Sequence, residues 1–317
     1  MTVASPVVLA ALAGYSDLPF RRLCRALGAP FCATEMLLDR SLSVSGKLQR
    51  RLLTLTEDDH PVAGQLIGRE PADMAAAAEL LCRKGFDVVD LNFACPVRKA
   101  LARRRGGALM DEPAQALVIT RAVIAAADRP VTLKLRSGYR AADADHDAFY
   151  RIAEGAFDAG AAAICVHGRT VGARYVGPAD WDFIAEAKRH FADRTIVGSG
   201  DVREPADAVR MLAATGVDGV AAARGALGNP WFFRQVADLA AGREPCRPGL
   251  GEQRAALERQ FNEAVEIYGP RRGPRIMRKH GIKYSRMHPT PKKVRMAFVE
   301  VKTPPDWHRV LEEFYIP

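Results

Sequence analysis

The chain has 317 residues, 48% of them hydrophobic and 26% charged, and its formal net charge at pH 7 is +9. This length suits one large domain and one smaller one. Because no run of 18 apolar residues occurs and the N-terminus lacks a cleavable signal pattern, we expect a cytoplasmic protein that neither crosses nor inserts into a membrane.

Short apolar runs alternate with amphipathic stretches from residue 7 to residue 240. The runs predict eight strands: Val7–Leu12, Phe31–Thr34, Val62–Ile67, Val88–Phe93, Val131–Leu135, Ala163–Val166, Thr195–Gly198 and Gly219–Ala223. The stretches between them predict helices, several beginning with Pro: Leu18–Leu27, Pro71–Lys84, Pro113–Ala127, Asp147–Ala159, Trp181–Phe191, Pro205–Ala214 and Pro230–Ala240. This number of strands and helices favours an α/β fold of the (β/α)8 TIM-barrel type. A doubly wound sheet is the rival, but no GxGxxG follows the first strand.

A Pro- and Gly-rich segment, Gly242–Gly251, separates this region from a basic tail. Helices are predicted over Glu252–Tyr268, Pro274–Tyr284 and His308–Phe314. We therefore divide the chain into a catalytic barrel, 1–242, and a small C-terminal helical domain, 243–317. Residues 247–317 hold 15 Lys and Arg against 8 Asp and Glu. Such clustering is typical of a nucleic-acid contact, although a solvated basic face would look the same.

Polar residues lie where several predicted strands end, which is where a barrel places its chemistry. Lys134 must find an anion, because an unpaired ammonium is costly to bury; a carboxylate or a ligand would both serve. The glycine-containing segments GSGD and ARGALGNP follow the seventh and eighth strands, where barrels often bind phosphate. Gln65, Asn92 and His167 are equally explained as hydrogen-bonded core residues.

Six cysteines occur without a CxxC pair, so neither a disulfide framework nor a metal site is indicated. Cys95 differs from the others because it lies at a strand end, precedes Pro96, and is followed by a basic loop. A thiol in that position can act as a nucleophile or as a proton donor.

The sequence resembles the tRNA-dihydrouridine synthase family, and its tail is similar to the bacterial B-type branch. The resemblance covers nearly the whole chain and is carried by AGYSDLPFRRLCRALGA, DLNFACPVRK, LKLRSGY, VHGRT, GSGDV, ARGALGNPWFF and IYGPRRGPRIMRKHGIKY. It implies an FMN enzyme that takes electrons from NADPH, or alternatively NADH, and reduces the C5–C6 double bond of selected uridines in tRNA. A monomer without metal is expected.

The resemblance also implies residue roles. Cys95 is the implied proton donor. The implied cofactor-binding residues are Ala11, Leu12, Ala13, Gln65, Lys134, His167, Ser199, Gly200, Asp201, Arg224 and Gly225. The residues assigned to the substrate are Asn92, Arg98, Lys99, Arg103, Arg278 and Lys279.

Other functions stay open at this point. The same reduction could act on ribosomal RNA, or the protein could be an FMN dehydrogenase of a free pyrimidine. Ala11-Leu12 and Ser199 depart from the usual Pro-Met and Asn of the family, which leaves room for an RNA-binding factor that has lost its flavin.

Overall fold

Eight parallel strands close into a barrel in the computed structural model, which describes residues 6–140 and 146–316. The barrel strands are β1 Val7–Leu9, β2 Cys32–Ala33, β4 Val62–Ile67, β5 Val88–Asn92, β6 Val131–Arg136, β7 Ala163–His167, β8 Thr195–Ser199 and β9 Gly219–Ala222; β3, Leu37–Leu38, is a short ninth strand paired with β4. Strand β1 pairs in parallel with both β2 and β9, and β2 pairs with β4, so the sheet has closed. The predicted (β/α)8 barrel is confirmed.

Helices surround the barrel and continue into the tail. In chain order they are α1 Leu18–Ala26, α2 Asp39–Leu42, α3 Lys47–Leu52, α4 Pro71–Arg83, α5 Arg98–Leu101, α6 Pro113–Ala126, α7 Asp147–Asp158, α8 Trp181–His190, α9 Pro205–Thr215, α10 Phe232–Ala240, α11 Leu250–Tyr268, α12 Gly273–Tyr284, α13 Pro291–Val299 and α14 Pro304–Phe314. Short 3₁₀ turns occupy Glu57–Asp59, Gly106–Asp111 and Ser285–Met287. Each large barrel helix turns an apolar face toward the strands, as the periodicity predicted.

The first strand is shorter than predicted. It ends at Leu9, and residues 10–13 form a loop because the backbone turns at Leu12, whose carbonyl accepts the N–H groups of Tyr15 and Ser16. The Ser16 hydroxyl also accepts the N–H of Leu12, at 2.9 Å. The chain therefore leaves the barrel wall three residues early and crosses its C-terminal end.

Helices α11 to α14 form the C-terminal helical region and share their own apolar core. Helix α11 starts at Leu250, inside the predicted linker, because the Glu252 side chain accepts the Gly249 N–H at 3.0 Å. Helix α14 starts at Pro304, four residues before the predicted start, because Thr303 caps it through the Asp306 N–H. Helix α13 was not predicted.

The helical region packs directly on the barrel. Leu23 of α1 and Trp231, just before α10, belong to its apolar core, so the two cores meet without an intervening solvent layer. Tyr268 donates a hydrogen bond to Asp17 at 2.9 Å, and Arg286 donates one to the Gly225 carbonyl at 2.6 Å. Among the helices of the described ranges, none is both long and apolar enough to cross a membrane.

Candidate active site

A cavity of about 510 Å³ opens at the C-terminal ends of the barrel strands. Its wall includes eleven of the predicted site residues: Ala11, Leu12, Ala13, Asn92, Cys95, Lys134, His167, Ser199, Gly200, Asp201 and Arg224. Parallel strands all end at the same face of a barrel, so residues distant in the chain meet there. Lys283 reaches the same cavity from the helical region.

The Cys95 turn, Phe93–Val97, is held at several backbone positions. The Asn92 side-chain oxygen accepts the N–H groups of Ala94 at 3.0 Å and Cys95 at 2.9 Å. Arg136 donates to the Ala94 carbonyl at 2.7 Å, and the Gly107 N–H donates to the Cys95 carbonyl at 3.0 Å. These bonds leave the thiol little freedom to change its position.

Glycine is required where the returning loop crosses this turn. A Cβ on Gly106 would lie 2.9 Å from the Cys95 Cβ, and one on Gly107 would lie 2.9 Å from the Cys95 carbonyl oxygen. Gly106 also has a positive φ of 59°. The glycines after the arginine run therefore allow the loop to cover Cys95 closely.

The Cys95 thiol lies on the cavity wall but is only 7% exposed. Burial raises the pKa of the thiol above its usual 9.0, outweighing the Val97 backbone hydrogen bond and the Arg136 charge, which lower it. The sulfur therefore carries its proton at neutral pH. Such a group is suited to donate a proton and poorly suited to attack as a thiolate.

Lys134 projects from β6 into the cavity. Its ammonium lies 3.3 Å from the Cys165 sulfur and 3.3 Å from the Ser199 hydroxyl. Within residues 6–140 and 146–316, no carboxylate forms an ion pair with it. Of the two partners that the sequence left open, a carboxylate is therefore not paired with Lys134 among the described residues, and the charge is available for an anionic or electron-rich ligand.

His167 ends β7 and faces the same space. Its Nδ1 accepts the Arg169 N–H at 3.2 Å, so in the neutral ring the hydrogen is on Nε2. Burial, with the charges of Lys134, Arg136 and other arginines, lowers the pKa of His167 to about 2. The ring is a neutral hydrogen-bond donor over the whole physiological range.

The segments after β8 and β9 meet at one side of the cavity. Gly200 has a φ of 117°, and a Cβ there would lie 2.7 Å from the Ala179 Cβ. Asp201 accepts hydrogen bonds from Arg169 at 2.6 Å and from the Ala179 N–H at 2.7 Å, while its other oxygen, Oδ1, is buried without a hydrogen bond among the described groups. Burial opposes ionisation of Asp201, but the hydrogen bonds from Arg169 and the Ala179 N–H, together with the charges of Arg169 and Arg203, outweigh it and lower the pKa. The Arg224 guanidinium lies 3.6 Å from Oδ1 and is 44% exposed, so a ligand can reach it.

The comparisons with known proteins agree over the whole chain. A family model described as dihydrouridine synthase matches residues 8–315. The chain belongs to the dihydrouridine synthase family. The tRNA-dihydrouridine synthase B of Xanthomonas campestris is 37% identical over 305 residues, covering 96% of this chain and 90% of that protein. A probable tRNA-dihydrouridine synthase of Mycobacterium tuberculosis is 36% identical over 313 residues, covering 95% of this chain and 80% of that protein.

Two solved structures share the fold of this dihydrouridine synthase. A 2-naphthoyl-CoA reductase complex superposes with a TM-score of 0.58 at 12% identity, covering 75% of this chain and 50% of that one. An old yellow enzyme homologue from Zymomonas mobilis gives a TM-score of 0.56 at 15% identity, covering 76% and 90%. At these identities the likeness shows the fold alone.

Membership of the dihydrouridine synthase family makes the protein a flavin-dependent oxidoreductase, and the donor set of the cavity fits a flavin. One wall is apolar and made of small residues, among them Ala10, Ala11 and Ala221, which suits a flat ring. Lys134 and His167 supply a cation and a neutral donor. Arg224, whose guanidinium lies 3.6 Å from an Asp201 oxygen that accepts no hydrogen bond among the described groups, suits a phosphate that would compete for its guanidinium.

Two predicted cofactor residues lie behind the cavity wall of the dihydrouridine synthase. Gln65 is 1% exposed and bonds to Asn92 and Asp90. Gly225 has no room for a side chain, because a Cβ would lie 2.7 Å from Phe232 and 2.9 Å from the Arg203 carbonyl. Its carbonyl accepts a hydrogen bond from Arg286. Both residues support others that face the cavity, and their contact with the flavin stays a prediction.

The predicted substrate cations fall into separate groups. Arg98, Lys99 and Arg103 are exposed on the loop after Cys95. Arg278 is half-buried on α12. Lys279 lines a second cavity of about 180 Å³ at the seam with the helical region, where its ammonium lies 4.8 Å from the centroid of the Tyr15 ring.

Sequence reasoning missed two residues of the site. Arg136, which directly follows the predicted strand Val131–Leu135, was given no role, although it donates hydrogen bonds to the Ala94, Thr170 and Arg174 carbonyls. Asp90 received no attention. The available signal was a carboxylate two residues before Asn92 in an otherwise apolar strand, which must find donors when it is buried.

Proposed function

We propose that the protein reduces the C5–C6 double bond of uridines in tRNA, with FMN as cofactor, NADPH as reductant and Cys95 as proton donor. The observation that carries the proposal is the protonated thiol of Cys95, which lies in the same cavity as Lys134 and His167. An acid and donors suited to a flavin therefore share one cavity. The relatives named as tRNA-dihydrouridine synthases support the choice of substrate.

The residues divide the chemistry between them. FMN would supply a hydride to uracil C6, with the electrons coming from NADPH. Cys95 gives its proton to C5, which completes the saturated ring, and the resulting thiolate recovers a proton from water. The positive charge of Arg136, which lowers the pKa of Cys95, stabilises that thiolate for as long as it exists. Asn92 keeps one amide hydrogen free of the bonds that hold the turn, and we assign that hydrogen to the uracil ring.

Residues on the other wall of the cavity would hold the cofactor. We assign Lys134 and His167 to the isoalloxazine ring, with the loop Ala11–Ala13 against its face. Ser199, Gly200, Asp201 and Arg224 are assigned to the ribityl chain and phosphate. Gln65 and Gly225 act from behind this wall.

The RNA would reach the cavity mouth over a basic surface. Arg98, Lys99 and Arg103 are exposed, and no described acid pairs with them, whereas Arg104 lies 2.9 Å from Glu112 and Arg105 lies 3.9 Å from Asp39. The first three are therefore assigned to phosphate contacts, together with Arg278 and Lys279 of the helical region. A uridine stacked in folded tRNA must leave its stack to enter the cavity. We also propose that residues 243–317 form an RNA-binding domain of a cytoplasmic monomer.

Nucleoside analysis tests the proposal directly. Unmodified tRNA is incubated with the protein, FMN and NADPH or NADH, and dihydrouridine is measured by mass spectrometry. We expect product with wild type, and a rate reduced by about 100-fold or more with Cys95→Ala, since a positioned acid contributes that much. The control Cys246→Ala, at a half-exposed thiol outside the cavity, retains the rate.

Parallel reactions with ribosomal RNA and with free uridine separate the alternatives. Product from free uridine at the tRNA rate would favour a pyrimidine dehydrogenase. Absence of dihydrouridine from tRNA with flavin-loaded wild type, or full product with Cys95→Ala, would contradict the proposal.

A further inference from the structure

Four polar side chains of strands β4, β5 and β6 form a continuous chain of hydrogen bonds through the barrel wall. The Thr132 hydroxyl donates to Asp90 Oδ1 at 2.6 Å, and Gln65 Nε2 donates to Asp90 Oδ2 at 2.7 Å. Asn92 Nδ2 then donates to Gln65 Oε1 at 2.7 Å. Asp90, Gln65 and Asn92 are 8%, 1% and 6% exposed, so water competes little for these bonds. We call this chain the Asp90 relay.

The relay ends at the Cys95 turn. With Nδ2 occupied by Gln65, the Asn92 oxygen faces the turn and accepts the N–H groups of Ala94 and Cys95, at 3.0 and 2.9 Å. Backbone N–H groups can only donate, so the turn is compatible with one orientation of the Asn92 amide and not with the flipped one.

The groups at the two ends of the relay, the Asp90 carboxylate and the backbone N–H groups of the Cys95 turn, require its hydrogen bonds to run in the same direction. An ionised carboxylate can only accept, so Asp90 obliges Gln65 to present its N–H₂ toward β5 and its oxygen toward Asn92. Asn92 must then present its N–H₂ to Gln65 and its oxygen to the turn. The turn favours one orientation of the Asn92 amide, but the Gln65 amide has no such backbone partner; the carboxylate removes its freedom to flip and so keeps the Gln65 oxygen facing Asn92.

Ionisation of Asp90 has local support. Burial raises the pKa of Asp90 above its usual value, and the bonds from Thr132 and Gln65 and the charge of Lys134 offset part of that rise and so favour the ionised form. Strand register places Asp90 opposite both Gln65 and Thr132, and places Lys134 opposite Asn92. The carboxylate thus has two donors and a neighbouring cation in the barrel interior.

We propose that Asp90 is a positioning residue for the Cys95 proton donor: by accepting from Gln65 it orients the Gln65 and Asn92 amides, and through Asn92 it holds the Cys95 turn against the cavity. The functional part of this inference rests on the role assigned to Cys95 above. The structural part, that the charge of Asp90 decides the conformation of the turn, does not depend on that role.

The replacement Asp90→Asn removes the negative charge of the side chain and keeps its size and shape. The amide introduced at this position can donate to Gln65, which allows Gln65 to flip and donate to the Asn92 oxygen. Asn92 would then turn its N–H₂ toward the N–H groups of Ala94 and Cys95, which repel it. A misplacement of about 1 Å at a reacting group can lower a rate about 100-fold, so we expect dihydrouridine formation to fall by about 10- to 100-fold.

The double variant Asp90→Asn/Gln65→Glu restores an acceptor-only group one step along the relay. The carboxylate introduced on β4 would accept from the new amide on β5 and from Asn92, so the Asn92 oxygen returns to the turn while the net charge stays that of wild type. The readout is the rate of Cys95 alkylation by iodoacetamide, measured peptide by peptide with mass spectrometry on the flavin-loaded protein. We expect a several-fold faster reaction in Asp90→Asn, because the turn opens, and a return to within about twofold of wild type in the double variant.

Asp87→Asn is the matched control. Asp87 precedes the same strand and accepts the Val62 N–H at 2.7 Å, but it lies at the opposite end of the barrel from the cavity. It changes stability without touching the relay, so Cys95 alkylation should stay at the wild-type rate.

Three outcomes overturn the proposal: unchanged Cys95 alkylation in Asp90→Asn, equal effects of Asp90→Asn and Asp87→Asn, or no recovery in the double variant. If Asp90→Asn does not fold, the double variant decides the question, because the relay predicts folded protein with the wild-type alkylation rate. If wild type made no dihydrouridine, the proposed function would fail, while the alkylation experiment would still test the relay.

Discussion

At the scale of single residues, burial decides the protonation state of the groups that line the cavity. Cys95 is held as a thiol and His167 as a neutral ring, both chiefly by removal from water. Arg136 keeps its charge although burial lowers its pKa to about 10. The Cys95 thiol and the neutral His167 ring therefore face one cavity, and neither changes its protonation state near neutral pH.

A pH profile of the proton-donating step follows from these states. With pre-reduced enzyme and tRNA in single turnover, the rate should be level between about pH 6 and pH 8.5 and fall only above, as the thiol loses its proton. Alkylation of Cys95 should rise over the same alkaline range. A rate that declined through pH 7 would show that the acid has a lower pKa than that of the buried thiol.

Gly200 is the backbone position on which the proposed phosphate side of the cavity depends. Alanine there would combine a φ of 117° with a Cβ 2.7 Å from Ala179 and 3.4 Å from the His167 ring. We expect Gly200→Ala to lower the free energy of unfolding by about 2–5 kcal/mol and to reduce the flavin content of the purified protein. The control is Gly216→Ala, where φ is 69° but no atom lies within 4 Å of the added Cβ. It should lose only about 1–2 kcal/mol and keep its flavin; equal flavin content in both variants would count against the assigned cradle.

At the scale of the element, the segment after Cys95 contains cations that pair with described acids and cations that do not. Arg104 and Arg69 both form ion pairs with Glu112, and the Arg69–Glu112 distance is 2.8 Å. Arg105 lies beside the buried Asp39. Arg98, Lys99 and Arg103 have no such partner among the described acids. The basic run in the sequence is thus two sets of cations with different surroundings.

This division predicts different effects on RNA binding. Arg103→Ala should weaken tRNA binding and reduce the slope of log affinity against log salt by about one, whereas the adjacent Arg104→Ala should change that slope little. Replacing Arg98, Lys99 and Arg103 together should reduce the slope by about three. Filter binding at several salt concentrations measures this, and equal slopes for the two single variants would refute the division.

At the scale of the whole molecule, a buried acid connects the barrel to the helical region. Asp17 caps α1 by accepting the Phe20 N–H and also accepts the Tyr268 hydroxyl of α11. Burial raises the pKa of Asp17 to about 6, against the lowering effect of the Tyr268 bond. Because the carboxyl of the unfolded chain ionises near its ordinary pKa of 3.8, Asp17 makes the folded protein less stable as pH rises from about 3.8 to about 6, and the loss is complete above that range.

The variant Asp17→Asn should remove that dependence. Its stability relative to wild type should be lowest near pH 4 and increase by about 1–3 kcal/mol by pH 7.5. Thermal unfolding across this range measures the difference. Asp58→Asn is a control with the opposite sign, because burial is outweighed by the hydrogen bonds from Thr56 and Arg22 and by the Arg22 charge, which together lower the pKa of Asp58. If the stability difference between Asp17→Asn and wild type did not change with pH, the pKa of Asp17 would not be raised in the folded protein.

The local pattern of the sequence was sufficient for the barrel and for most strand ends. Alternating apolar runs and amphipathic stretches encode strands and helices over distances of ten residues, and polar residues interrupting those runs predicted Lys134, His167 and Cys95 in one cavity. The family motifs then added what each residue does. These signals are local, so one sequence displays them.

Interactions between distant segments were decided only by the tertiary structure. The strand predicted to reach Leu12 stops at Leu9 because the Ser16 hydroxyl accepts the Leu12 N–H and stabilises a turn there. Gln65 faces Asn92 and Asp90 rather than the cavity because of the register of β4 on β5. Asp90 acquires its place in the relay from partners 25 and 42 residues away. The sequence by itself determined which chemical groups the protein has and which ends of its strands present them. The direction of a hydrogen bond, the burial that keeps a thiol protonated and the pairing of one arginine but not its neighbour depend on side chains from several strands and loops, and only the folded chain brings those together.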